Sequence, residues 1–290
     1  MSSSFIPRRA FAALPTLWLV AHGLVAAQAP LVSDDYTPKL GQVGKDVIWV
    51  PTPEALVEGM LQMASVGSED YVIDLGSGDG RTVIAAAEKF GARGLGIEYD
   101  PSLVAFSIGK AEEAGVADKV KFVEADNFET DFSEATVLTM YLLPSLNLKL
   151  RHKILEMAPG TRVVSHSFDM AEWRADQSVT VEGRTAYLWV VPAKVAGDWR
   201  LTLPTEGSER TWTLRLEQEF QILSGGQVHL PDGWFAVFDG LIRGTELRFR
   251  VIDANDNRRE ISGRVFDDRM EGTIRNGDGT ELTFGAERVD

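Results

Sequence analysis

The spacing of apolar residues changes period along the chain, and the changes mark out two kinds of architecture. From Glu54 onward, Leu56, Met60, Leu61 and Ala64 recur on one side of a helix. Tyr71 to Leu75 is a short, mostly apolar run that ends in glycines, which predicts a buried strand. The same alternation then repeats. Arg81 to Phe90 predicts a helix whose alanines allow close packing on a sheet, and Gly94 to Glu98 a second strand. Pro101 to Ala114 predicts a helix with proline in its first turn, and Val120 to Val123 a third strand. Thr136 to Leu142 and Arg162 to Phe168 predict two more strands, with a helix over Ser145 to Met157 between them. Strands alternating with helices of this length imply a parallel α/β sheet covered on both faces. Ser178 to Val181, a turn at Glu182-Gly183 and Thr185 to Val191 then read as an antiparallel hairpin. Ahead of all this, Pro51 and Pro53 forbid a helix over Val47–Pro53 and make it extended.

Beyond Val195 the helical period is lost. Trp199 to Leu203, Trp212 to Leu216 and Leu247 to Val251 alternate apolar with polar residues, and turn signals such as Asp232-Gly233 and Asn276-Gly277 recur between them. Residues 46–194 are therefore expected to form one α/β domain. Residues 195–290 are expected to form a separate small antiparallel β-barrel or sandwich, with Trp199, Trp212 and Trp234 in its core.

The first 27 residues have yet another layout: Arg8-Arg9, an apolar stretch from Phe11 to Val25, then Ala26-Ala27. This is the pattern of a signal peptide cut after Ala27, and Arg8-Arg9-Ala10-Phe11 resembles a twin-arginine signal. It predicts export to the periplasm or envelope, with no transmembrane helix after cleavage. An uncleaved anchor or a misassigned start, which leaves the protein cytoplasmic, is the alternative.

Composition narrows the chemistry. A formal net charge of −14 repels phosphate backbones, so nucleic acid is not the expected partner. The absence of cysteine removes disulfides and thiolate sites, and four histidines without ligand spacing give no metal site.

The segment Asp74-Leu75-Gly76-Ser77-Gly78-Asp79-Gly80 follows the first strand and opens a helix. Glycines there let the chain turn sharply and let a ligand approach the backbone, at the strand end where open α/β sheets bind ligands. A dinucleotide loop reads G-x-G-x-x-G and receives a pyrophosphate. Here the spacing is G-x-G-x-G with Asp74 and Asp79 beside it, and two carboxylates suit a ligand bearing an ammonium and a sulfonium. Glu98 ends the second strand about 20 residues on, where an acid grips ribose hydroxyls. Asp126, with Asn127, follows the third strand, where its carboxylate can accept from an adenine amino group while Phe128 or Tyr99 lines the ring.

With these residues, Val47 to Ala175 resembles the class I, seven-β-strand methyltransferases that use S-adenosyl-L-methionine. More narrowly it resembles the protein-lysine methyltransferases whose mitochondrial members modify the ATP synthase c-subunit or the adenine nucleotide translocase. Val50-Pro51-Thr52-Pro53 and Leu142-Leu143-Pro144 carry that narrower likeness, and Val163-Val164-Ser165 followed by Phe168 and Trp173 fits the same pattern. The resemblance implies a Rossmann-like sheet closed by an antiparallel hairpin and methyl transfer to a protein lysine. A small-molecule acceptor is the alternative, and a non-catalytic envelope binding module is an alternative of another class. An amine acceptor must lose a proton and be held in line. Candidates for that work lie at the ends of the fourth and fifth strands: Tyr141, His166 and Asp169. Asp79 is expected to border the methyl group. Trp49 and Trp173 are either core residues or the floor of a cation pocket.

Overall fold

The computed structural model describes residues 36–203 and 210–289. The proposed signal segment and its cut after Ala27 lie outside the described residues.

Helix α1 (Glu54–Met63) precedes β1 (Tyr71–Leu75), α2 (Arg81–Phe90), β2 (Arg93–Glu98), α3 (Pro101–Glu113) and β3 (Val120–Glu124). Then come β4 (Val137–Met140), α4 (Pro144–Ile154), β5 (Arg162–His166), and the hairpin β6 (Gln177–Val181) and β7 (Arg184–Val190). The seven strands lie in the order β3-β2-β1-β4-β5-β7-β6, with β7 the strand that runs antiparallel to its neighbours β5 and β6. Period-two alternation assigns the two faces. Val72, Val137 and Val164 face α1, while Ile73, Leu138 and Val163 share the opposite core with Leu150 and Ile154 of α4. Because the chain runs β1-β2-β3 outward and then returns to β4 beside β1, a crevice opens where these two strands end.

Two strands are shorter than the sequence predicts. β4 ends at Met140 because Pro144 fixes the first turn of α4 and holds Leu143 extended ahead of it. β5 ends at His166 because Ser167 turns into the left-handed region at φ 65°.

The remaining strands are β8 (Gly197–Leu203), β9 (Arg210–Glu219), β10 (Ile222–Leu230), β11 (Gly233–Arg243), β12 (Glu246–Ile252), β13 (Arg258–Phe266), β14 (Arg269–Arg275) and β15 (Glu281–Arg288). Each pairs antiparallel with the next, and β15 pairs with β8, so the sheet closes as an eight-stranded barrel rather than a sandwich. Its interior is filled by side chains, Trp199, Phe235 and Phe249 among them. Trp212 is buried there too, but Trp234 is 54% exposed and stacks on His229 at 4.6 Å. The reason is phase: strand alternation turns Phe235 inward, so its neighbour Trp234 must face out. The barrel touches the α/β half through the β9–β10 turn, where Gln221 Nε2 donates to the Arg174 carbonyl at 2.6 Å.

Candidate active site

The glycine loop leaves β1 and is stapled to the end of β2. Gly76 and Ser77 N–H groups both donate to the Ile97 carbonyl (2.9 and 3.0 Å). Gly78 N–H donates to Glu98 Oε2 at 2.9 Å, and Glu98 Oε1 accepts from Tyr99 and Asp100 N–H at 2.8 and 3.0 Å. Gly78, at φ 56°, lies so close to Trp49 that a Cβ there would meet Nε1 at 2.4 Å. The loop thus borders a cavity of about 530 Å³ lined by Asp74, Glu98, Asp126, Trp49, Tyr141 and Phe168, among others.

The two acids of the loop have different surroundings. Asp74 is 7% exposed and accepts from Thr139 Oγ1 at 2.6 Å. Burial pushes its carboxyl up to about 7 against the help of the Thr139 and Thr82 hydroxyls, and the nearby charges of Asp79 and Glu98 push the same way. Asp79 also lines the cavity, but Arg81 embraces it, with Nη2 at 2.6 Å and Nε at 2.9 Å, and the same guanidinium donates to the Thr52 carbonyl at 2.9 Å. Sequence spacing offers two carboxylates to a cationic ligand. The structure pairs Asp79 with a cation of its own chain and leaves Asp74 without one among the described residues.

At the other end of the cavity Asp126 accepts from Phe128 N–H at 2.9 Å and from Lys45 Nζ. Lys45 holds the Asp126 carboxyl below the usual carboxylate range and also sits 4.8 Å from the centre of the Tyr99 ring. Asn127 Oδ1 and Ser77 Oγ are buried without a hydrogen-bond partner among the described residues, and both residues line the cavity. A bare glycine backbone, Glu98, and unpartnered polar atoms beside Asp126 and the aromatic rings of Tyr99 and Phe128 fit an adenosine moiety. Asp74 fits its ammonium-bearing tail.

Residues 42–49, joined by a Val43–Ile48 bridge, form a further wall of this cavity. Ahead of the extended segment that starts at Val47, they carry no signal in the sequence. Their place depends on long-range pairs such as Gln42 Nε2 with Asp100 and Lys45 with Asp126.

Of the three residues expected to handle the acceptor, Tyr141 lines the cavity. Its ring lies 3.8 Å from that of His166 and 6.1 Å from that of Phe168. His166 is fully buried and outside the lining, its Nδ1 hydrogen-bonded to Thr52 Oγ1 at 3.0 Å and its Nε2 without a partner among the described residues. Burial, with the positive charge of Arg184, pushes its imidazole down to about 4, so it stays neutral at physiological pH. Asp169 is exposed, accepts from Ala171 N–H at 3.2 Å, and does not reach the cavity, because β5 ends three residues before it. Trp173 is core, packed against Trp189 and Phe220. The neutral, buried state of His166 has a measurable consequence. The rate–pH profile of methyl transfer is expected to show no step from a histidine between pH 5 and 8, and His166→Asn to leave its shape unchanged. A limb near pH 6.5 that vanishes in the variant would give His166 a proton-transfer role.

Residues 74–177 match the ANTKMT methyltransferase domain model. A protein-lysine N-methyltransferase of Saccharolobus islandicus is 41% identical over 151 residues, which is 50% of this chain and 94% of that protein. The chain belongs to the ANTKMT methyltransferase family. It is an S-adenosylmethionine-dependent methyltransferase. The human lysine N-methyltransferase of the ATP synthase c-subunit is 34% identical over 166 residues, 57% of this chain and 69% of its own. A crystal structure described as an RNA methyltransferase from Salinibacter ruber, in complex with S-adenosyl-L-homocysteine, is 55% identical with a TM-score of 0.50. It covers 50% of this chain and 96% of that one. When bound, S-adenosylmethionine supplies a methyl group already activated by its positive sulfur. Asp74, Glu98, Asp126 and the glycine loop of this methyltransferase are the residues that would hold it, and Tyr141 and Phe168 line the same cavity.

Proposed function

We propose that this methyltransferase acts on the side-chain amine of a protein lysine, with Tyr141 and Phe168 as the acceptor wall. The observation that carries this reading is that wall itself. Two aromatic rings 6.1 Å apart, backed by a neutral histidine, offer π-faces to an alkylamine. His166 does not charge, so it does not repel a cationic lysine as it arrives. The relatives named as lysine methyltransferases support the same acceptor. An RNA acceptor is favoured by the description of the Salinibacter protein as an RNA methyltransferase, but a chain of net charge −14 repels a polyphosphate backbone.

The test follows labelled methyl groups from S-adenosylmethionine into fractionated host extract, with Asp74→Ala as control. Methylated lysine in protein hydrolysates, lost in the variant, is the expected result. Label confined to RNA or to filterable metabolites would overturn the lysine reading.

A further inference from the structure

The loop joining β5 to β6, residues 167–176, carries Phe168 into the cavity beside Tyr141. Its conformation is not one the chain adopts unaided, since Ser167 and Ala171 both have left-handed backbones, at φ 65° and 54°. Side chains from elsewhere hold its carbonyls one after another. Asn147 Nδ2 reaches those of Phe168 and Asp169 (3.3 and 3.4 Å), Arg151 Nη1 that of Met170 (2.9 Å), and Trp189 Nε1 that of Trp173 (2.7 Å).

A further clamp comes from the barrel. Gln221, 5% exposed, donates from Nε2 to the Arg174 carbonyl at 2.6 Å. Next to it, Phe220 lies parallel to Trp173, with centroids 6.1 Å apart and planes at 14°. The Phe220 ring also neighbours the Arg151 guanidinium, 5.4 Å from its centre, the same group that holds Met170. The turn bearing these two residues is itself fixed: Gln218 Nε2 donates to the Phe220 carbonyl at 2.7 Å, and Ile242 N–H to that of Gln221 at 2.8 Å. The barrel core is packed with its own side chains, and it meets the α/β half through its surface.

We infer that Phe220 and Gln221 are positioning residues, through which the barrel fixes the Phe168 loop and so the acceptor wall of the methyltransferase site. This rests on reading Tyr141 and Phe168 as that wall, and not on lysine being the acceptor.

The test uses the full chain with Phe220→Ala, Gln221→Met and, as the conservative control, Phe220→Tyr. Amide hydrogen exchange of residues 167–176 is expected to quicken about tenfold in the first two, as a lost clamp lowers the local opening energy, and to stay near wild type in the third. Exchange over residues 74–81 and the affinity for S-adenosylhomocysteine by calorimetry should not change, while labelled methyl incorporation into host extract falls about tenfold, as for a misplaced acceptor. Where Phe220→Ala unfolds, Gln221→Met carries the comparison, because it removes a donor without opening a cavity. Unchanged exchange in the loop overturns the inference. So does faster exchange with methyl transfer undiminished, or a parallel loss of cofactor affinity that marks general destabilisation. The exchange measurement needs no acceptor, so it decides the clamp even where the labelling shows that lysine is not the target.

Discussion

Asp74→Asn is expected to bind S-adenosylhomocysteine about 100-fold more weakly than the wild type, the usual cost of removing one partner of a buried, hydrogen-bonded charge pair. The same substitution is expected to make the ligand-free protein more stable. Asp74 is buried, and its carboxyl titrates near 7 instead of the ordinary 3.8. Between those values the folded protein keeps a proton that the unfolded chain has released, so stability falls as pH rises from about 4 to 7 and then levels. Above pH 7 the buried charge costs up to about 4 kcal/mol, three pKa units at 1.36 kcal/mol each. An asparagine can still accept from Thr139 without carrying that charge. His166 works in the opposite direction over the same range. Its imidazole is pushed from 6.5 to about 4, so as pH falls through that window the unfolded chain takes up a proton that the folded one refuses. In the wild type the two slopes oppose each other. In Asp74→Asn the histidine slope loses a strong opponent, the burial-raised Asp176 remaining, and thermal unfolding should show stability lost on acidification below about pH 6.5. Affinity within about threefold of wild type would remove Asp74 from the cofactor site, since a buried charge pair is worth far more than that.

The second large effect is expected at Gly80, and it is one of stability. Gly80 starts α2 with φ 79°, and a Cβ there would lie 2.6 Å from Phe122 Cζ and 2.9 Å from Ser107 Cβ. Both neighbours are buried, and Ser107 is also fixed by hydrogen bonds to the carbonyls of Gly78 and Leu103 (2.9 and 2.8 Å). Gly80→Ala therefore combines a left-handed backbone with overpacking between α2, α3 and β3, together about 3 kcal/mol. Urea unfolding would show this as a lower midpoint at constant slope. A loss below about 0.5 kcal/mol would mean that the core yields where the geometry says it is rigid. Gly78→Ala is expected to be milder in stability, because the atom it meets belongs to the half-buried Trp49 on the wall formed by residues 42–49.

The contrast between these glycines shows what the sequence could convey. The G-x-G-x-G spacing, Glu98 and Asp126 follow three successive strands, so local pattern alone places them at one crevice. Tyr141 could be placed by the same logic at the end of β4. Asp79 is harder, because its partner Arg81 sits two residues on and meets it through a left-handed turn that composition does not announce. Barrel closure was open for a different reason: β8 and β15 pair across more than 80 residues, and no short-range signal distinguishes that from a sandwich. The exposure of Trp234 was legible in principle, since strand phase alone separates it from Phe235.

Closure has a modular meaning as well. With β8 and β15 side by side, the barrel can be joined to the catalytic half without rethreading any strand of its sheet. Removing the barrel would not be as simple, because the face of Trp173 that Phe220 covers would be left bare to water. Each apolar residue packed across this seam therefore makes the two-part molecule harder to divide.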